Sequence, residues 1–148
     1  MPNAGSPSFA TTIEVRDTCL CLHVQRAARA LARRFDDALR PLGLTNGQFS
    51  LLVSLNREEP ATMGSVASLL AMDRTTLTAA LKPLTRRGLV EIAIDPCDRR
   101  GRRLTLTGAG LALVGAALGV WRRTHREVDD LLGAGGPGRL RDDLRAIA

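Results

Sequence analysis

Leu20, Val24, Ala27, Leu31, Phe35 and Ala38 recur every three or four places, the interval that gathers side chains on one stripe of an α-helix. The pattern predicts a long helix over residues 17–40, ended by Pro41. In "LTNGQF", Thr45 precedes Gln48 by three places and Leu44 is set to meet Phe49. That is a capping box with a hydrophobic staple, opening a second helix over residues 46–56. "REEPAT" breaks it. Thr62 and Asp73 are each fit to cap a further helix, with only Ala71, Met72 and Asp73 between them. Two helices so tightly joined must cross at a steep angle, as in a helix-turn-helix. On the second of them Ala80, Leu81 and Leu84 share the side of Leu77, while Thr75, Ala79, Lys82 and Arg86 fall opposite.

After Gly88 the period changes. "GLVEIAI" and "RLTLT" alternate as strands do, so the charged stretch between them reads as a β-hairpin with Asp95, Pro96 and Gly101 making its tip. From Gly108 a third long helix carries Leu111, Val114, Leu118, Trp121, Val128 and Leu132. "GAGGPG" is read as a flexible joint, and Leu140, Leu144 and Ile147 mark a last short helix. The expected fold is mainly α with a small β-hairpin wing.

Charge sharpens this picture. The 148 residues carry a net +6, and residues 74–103 alone hold eight basic residues against three acidic ones, a net of +5. Such local excess suggests a polyanionic partner. Aromatic residues are 3% and tyrosine is absent, which argues against binders that stack single-stranded bases. Residues 1–16 have no basic start followed by an apolar block and read as a flexible arm, not a secretory signal, so a cytoplasmic location is expected. Residues 104–121 are uncharged, but a strand-like start and a Gly-Ala-Gly break leave too short an apolar piece for a membrane span. No phosphate-binding glycine loop, no histidine beside a nucleophile and no paired carboxylates suggest an enzyme.

A helix-turn-helix followed by a charged hairpin is a winged helix, and double-stranded DNA is its natural partner. The major groove, about 12 Å wide, admits one helix. Arg74, Thr75, Thr76 and Thr78 would meet phosphates, base edges or a thymine methyl, with Lys82, Arg86 and Arg87 further along on phosphates. Arg99, Arg100, Arg102 and Arg103 on the hairpin would reach the adjacent minor groove. The rival reading is a winged-helix interaction module whose basic face docks an acidic protein.

Three stretches, "TNGQFSLLVSL", "VASLLAMDRTTLTAALKPLTRRGLVE" and "DPCDRRGRRLTLTGAG", resemble successive blocks of the MarR family of winged-helix transcriptional regulators, and the order of helices extends the likeness over residues 17–147. The resemblance implies a homodimer on a pseudopalindromic operator, most often a repressor released by a small aromatic or phenolic effector. It divides the chain into an arm at 1–16, a dimerisation helix at 17–43, a winged helix-turn-helix at 44–107 and C-terminal dimerisation helices at 108–148, all in one compact protomer. It also implies that Asp98 orients an arginine and that Arg100 enters the minor groove. Two positions depart from the pattern. Ala79 stands where relatives often carry a long polar side chain, and Pro83 lies inside the recognition helix, where a kink is expected.

Other candidates are weaker. His23, Arg26, Phe49 and Trp121 could line an effector pocket where helices meet. Gly115 and Gly119 would allow a close approach of two helices. Cys19 and Cys21, read as lying on one helix, would point about 200° apart and could not bridge. Cys97 sits among arginines that would favour its thiolate. A thiol-based regulator using Cys19 or Cys97 is thus an alternative, although peroxide-sensing relatives add tyrosines that this chain lacks. Three cysteines and two histidines are too few for a structural zinc cage, and neither a metal nor a cofactor is expected.

Overall fold

The computed structural model describes residues 5–148 and divides the chain into two units, Met1–Arg34 and Phe35–Ala148. In the first unit α1 (Phe9–Thr18) is followed by the start of α2 (Leu20–Leu39). The sequence reading placed a flexible arm up to residue 16. Residues 1–4 of that arm lie outside the described residues, but from residue 9 the chain is helical, begun by the Ser8 hydroxyl accepting from the Thr11 amide. No residue of α1 is buried, and its apolar residues Phe9, Ile13 and Val15 gather on no one face, so it leaves no periodic signal in the sequence.

A second correction concerns Cys19. The single helix expected over residues 17–40 is interrupted there: Cys19 has extended backbone angles, φ −70° and ψ 106°, and its amide donates to Val15 O to close α1. Just before it, the Thr18 hydroxyl donates to Glu14 O, a back-bond that competes with the regular ladder and bends helices. The premise that held Cys19 and Cys21 on opposite sides of one helix therefore fails.

The second unit begins at Phe35 within α2. A 3₁₀ turn (Arg40–Leu42) containing Pro41 ends that helix, and Gly43 at φ 67° turns the chain into α3 (Asn46–Ser54). The capping box is formed in both directions: Thr45 Oγ1 accepts from the Gln48 amide and Gln48 Oε1 from the Thr45 amide. Thr62 caps α4 (Met63–Leu69) and Asp73 caps α5 (Arg74–Arg86). Between these two helices Ala71 takes φ 51°, a left-handed conformation that lets so short a link reverse direction. Strands β2 (Val90–Asp95) and β3 (Asp98–Leu106) form the hairpin, and α6 (Gly108–Leu132) and α7 (Gly136–Ile147) complete the chain. Helix α7 starts within the glycine-rich joint, with Pro137 in its first turn.

The sheet has a third strand that the pattern did not predict. Ala61–Thr62 (β1) pairs antiparallel with β3, Ala61 opposite Leu104, giving the order β1-β3-β2. Two residues carry no alternation, so this pairing is visible only once Leu104 is in place. The core of the unit is built on Leu39, Leu52, Leu77, Leu81, Leu84 and Leu104, each at most 1% exposed. Burying a leucine fully is worth about 1.5–3 kcal/mol, so the three from α5 hold its inner face and leave the outer one to solvent. The helix runs unbroken through Pro83, because this stripe continues on both sides of it.

Candidate nucleic-acid interface

The outer face of α5 presents Arg74, Thr75, Thr76, Thr78, Ala79, Lys82 and Arg86, all exposed. The hydroxyls are not equivalent. Asp73 Oδ1 accepts from the Thr76 amide at 2.7 Å and Oδ2 from the Thr76 hydroxyl at 2.9 Å. These bonds, the backbone one first, hold the Asp73 carboxyl below the usual carboxylate range. The Thr78 hydroxyl donates to Arg74 O at 2.8 Å. Thr76 and Thr78 thus offer a groove their lone pairs and methyl groups, while Thr75 retains a hydroxyl proton for an acceptor. Arg87, grouped with the phosphate-facing cations by sequence, instead donates through Nη1 to Gly43 O at 2.7 Å and ties the end of α5 to the turn before α3.

The wing is shaped by two aspartates that bond forward to the backbone, the turn chemistry expected of Asp. Asp95 Oδ1 accepts from the Cys97 amide at 2.9 Å, and Asp98 Oδ1 from the Arg100 amide at 3.0 Å. The side chain that holds an arginine is Asp95: Arg103 Nε lies 3.2 Å from its Oδ1. Asp98 acts on Arg100 through the backbone. The tip consists of Pro96 and Cys97 alone; Gly101 belongs to β3, where a Cβ would stand 3.2 Å from both Asp95 Cβ and Asp98 O. The Asp95–Arg103 pair escaped the sequence reading because the register shifts between Ile94 and Asp95, and nothing in the residue pattern marks that shift. Arg99, Arg100 and Cys97 are exposed on the wing, and Arg102 donates through Nη1 to Arg99 O and Gly101 O.

The start of the helix and the wing also border a common space. Arg74, at the start of α5, and Arg100 and Arg102, on β3, border a common cavity of about 250 Å³. The start of α5 and the arginine-bearing hairpin therefore share one concave surface of the unit.

A larger cavity of about 450 Å³ lies between α3, α4 and α6, with Phe49, Val53, Leu69 and Trp121 among its walls. Phe49 and Trp121, two of the four residues named for an effector pocket, stand with ring centroids 6.3 Å apart. The other two, His23 and Arg26, are exposed on α2 in the N-terminal unit; His23 Nδ1 is 2.8 Å from Cys19 O.

Comparison with known proteins agrees with this geometry. A family model described as MarR family matches residues 42–101. The regulator TtmR of Methylorubrum extorquens is 36% identical over 89% of this chain and 70% of its own length. The M. tuberculosis transcriptional regulator MosR, solved in complex with DNA, is 38% identical with a TM-score of 0.79, covering 87% of this chain and 92% of that one. The transcriptional repressor CouR, bound to a 23-mer DNA duplex, is 28% identical with a TM-score of 0.81, covering 90% of this chain and 94% of that one. With a winged helix-turn-helix, an arginine-bearing wing and relatives of this kind, the chain belongs to the MarR family of DNA-binding transcriptional regulators.

Proposed function

We propose that the protein is a homodimeric repressor that reads a pseudopalindromic operator and is released by a small aromatic effector. The observation that carries the reading is the shared cavity: Arg74 of α5 and Arg100 of the wing border the same space, so one duplex can be gripped in adjacent grooves. Thr75 reads a base edge in the major groove and Arg100 enters the minor groove, while Lys82 and Arg86 neutralise phosphates.

Pairing of two chains is supported by apolar surface that has no other use. Leu140, Leu144 and Ile147 follow one another along α7 and, with Leu20, Val24 and Leu31 on α2, are 40–71% exposed. Stripes of this kind mark association surfaces. A pair of recognition helices would then be set about one helical turn of DNA apart. The cavity beside Phe49 and Trp121 is apolar enough for an aromatic ring and adjoins α4, so occupancy there can alter the seating of the helix-turn-helix.

Selection of bound fragments from a random duplex pool tests this reading: an inverted repeat is expected, and no enrichment would refute it. Leu144→Glu, examined by sedimentation, is expected to give monomers that no longer retard the selected duplex.

A second reading, thiol regulation, is favoured by the helix break. Cys19 is half-buried at the junction and Cys21 exposed two residues on. Peroxide would oxidise the Cys19 thiol, whose Sγ accepts from the Leu22 amide at 3.5 Å, to a sulfenic acid with release of one water. Loss of DNA affinity on peroxide treatment in the wild type but not in Cys19→Ser is the expected result; identical behaviour of both refutes it.

A further inference from the structure

The cavity shared by wing and helix is walled by three arginines and two aspartates, and its charges are not balanced internally. Asp95 is engaged by Arg103 and the Cys97 amide, and Asp98 by the Arg100 amide. Arg74, by contrast, has no side-chain acceptor among the described residues, and its Nη2 stands 3.6 Å from where a Cβ on Gly64 would be. Arg102 is held by two backbone carbonyls through Nη1 alone. A guanidinium has five N–H donors in a planar fork, so the Nε and Nη2 donors of Arg102 remain for another acceptor while the carbonyls fix the group in position.

We propose that this cavity is a single phosphate site: one backbone phosphodiester of the bound duplex seats between Arg74 and Arg102, bridging the start of α5 and the wing. The proposal rests on the DNA-binding reading above and adds the ligand of this particular space. Two guanidinium forks bordering one space suit a tetrahedral anion better than a base edge, because each can approach a separate non-bridging oxygen. A phosphate held by both elements sets the angle of the wing relative to the recognition helix. It does so for any sequence, so Arg74 and Arg102 contribute affinity, and specificity is left to Thr75 and Arg100.

The test uses the full chain and a short random-sequence DNA duplex, with affinity measured over a series of salt concentrations. Each phosphate neutralised steepens the fall of log affinity with log salt by about one. Because either arginine alone can still neutralise the one phosphate, Arg74→Ala and Arg102→Ala should each leave the slope nearly unchanged while lowering affinity. The double variant should lower the slope by about one per chain. A loss of about two in the double variant would mean that each arginine has its own phosphate, and no loss in any variant would mean that the cavity takes none; either result overturns the proposal. Gly64→Glu provides an arm that leaves both arginines in place. Its carboxylate would stand beside Arg74 and reduce affinity severalfold, whereas Gly64→Gln should behave as wild type; equal affinity of the two also refutes the site. Melting curves that match wild type show that the variants fold. A wild type without salt-dependent affinity would remove the DNA-binding reading itself, whereas a steep wild type matched by all variants removes only the shared phosphate.

Discussion

Arg103 Nε lies 3.2 Å from Asp95 Oδ1, tying β3 to β2 where the register of the hairpin shifts. The Cys97 amide, and after it Arg103, hold the Asp95 carboxyl below the usual carboxylate range. A depressed carboxyl contributes stability that is present above its unfolded pKa and lost as pH falls through its folded one. The wing should therefore stay ordered at neutral pH and loosen in acid. Amide exchange at Cys97 reports this directly: protection is expected to drop below the ordinary carboxylate range in the wild type. Asp95→Asn keeps an acceptor for the Cys97 amide but loses the charge that holds Arg103, so protection should be lower at neutral pH and show no drop in acid, with DNA affinity severalfold weaker and the melting temperature little changed. Equal protection in both proteins would remove the role of the pair.

Arg100 is exposed, with its amide fixed by Asp98 at 3.0 Å. Truncation should leave the core untouched, since no buried group loses a partner. Arg100→Ala is expected to cost about 1–3 kcal/mol of affinity for the selected operator and to relax preference at the A·T-rich flank. Asp98→Ala should reproduce part of that loss, because the side chain is then borne by a less constrained strand. Operator affinity at the wild-type level in Arg100→Ala would exclude the minor-groove role.

Gly110 sits in the first turn of α6, where a Cβ would come 2.2 Å from Leu89 O and 3.0 Å from Leu106 Cδ2. Leu89 O also accepts from the Thr107 amide at 3.1 Å, so it cannot retreat freely. Gly110→Ala should destabilise the fold by about 1–3 kcal/mol, the usual cost of overpacking a tight contact. Gly115, with nothing near its Cβ position, is the control: Gly115→Ala should be neutral or slightly stabilising in helix propensity. Chemical denaturation of the two variants decides the matter.

Elements with a period or a cap are legible in the sequence. The Thr45–Gln48 capping box and the Leu77, Leu81, Leu84 stripe both follow from residue chemistry within one or two turns. Relations that cross between elements are not. The commitment of Arg87 to Gly43 O spans 44 positions, and β1 exists only because Leu104 lies opposite Ala61. The helix start has the same limit: the apolar stripe begins only at Leu20, so the sequence carries no mark that residues 17 to 19 belong to a different element or that Cys19 is extended. The arginine-rich wing was legible as a charge cluster, but which aspartate holds which arginine depends on a register shift that has no sequence mark.

The threonines of α5 separate folding from reading. Thr76 is bound to Asp73 by amide and hydroxyl together, so its hydroxyl belongs to the helix start. Thr75 has no such bond and is exposed. Thr75→Val keeps shape and β-branching but removes the donor, so it should leave the melting temperature unchanged and weaken the selected operator more than random duplex. Thr76→Val should do the reverse, lowering the melting temperature with little change in the ratio of specific to random binding. Asp73→Ala removes both bonds and should destabilise further. Its effect should fade in acid, since the depressed Asp73 carboxyl of the wild type ceases to contribute as pH falls through its folded pKa. If Thr75→Val retains full operator preference, the major-groove contact must come from another residue of the face, and Thr78 would be the next to replace.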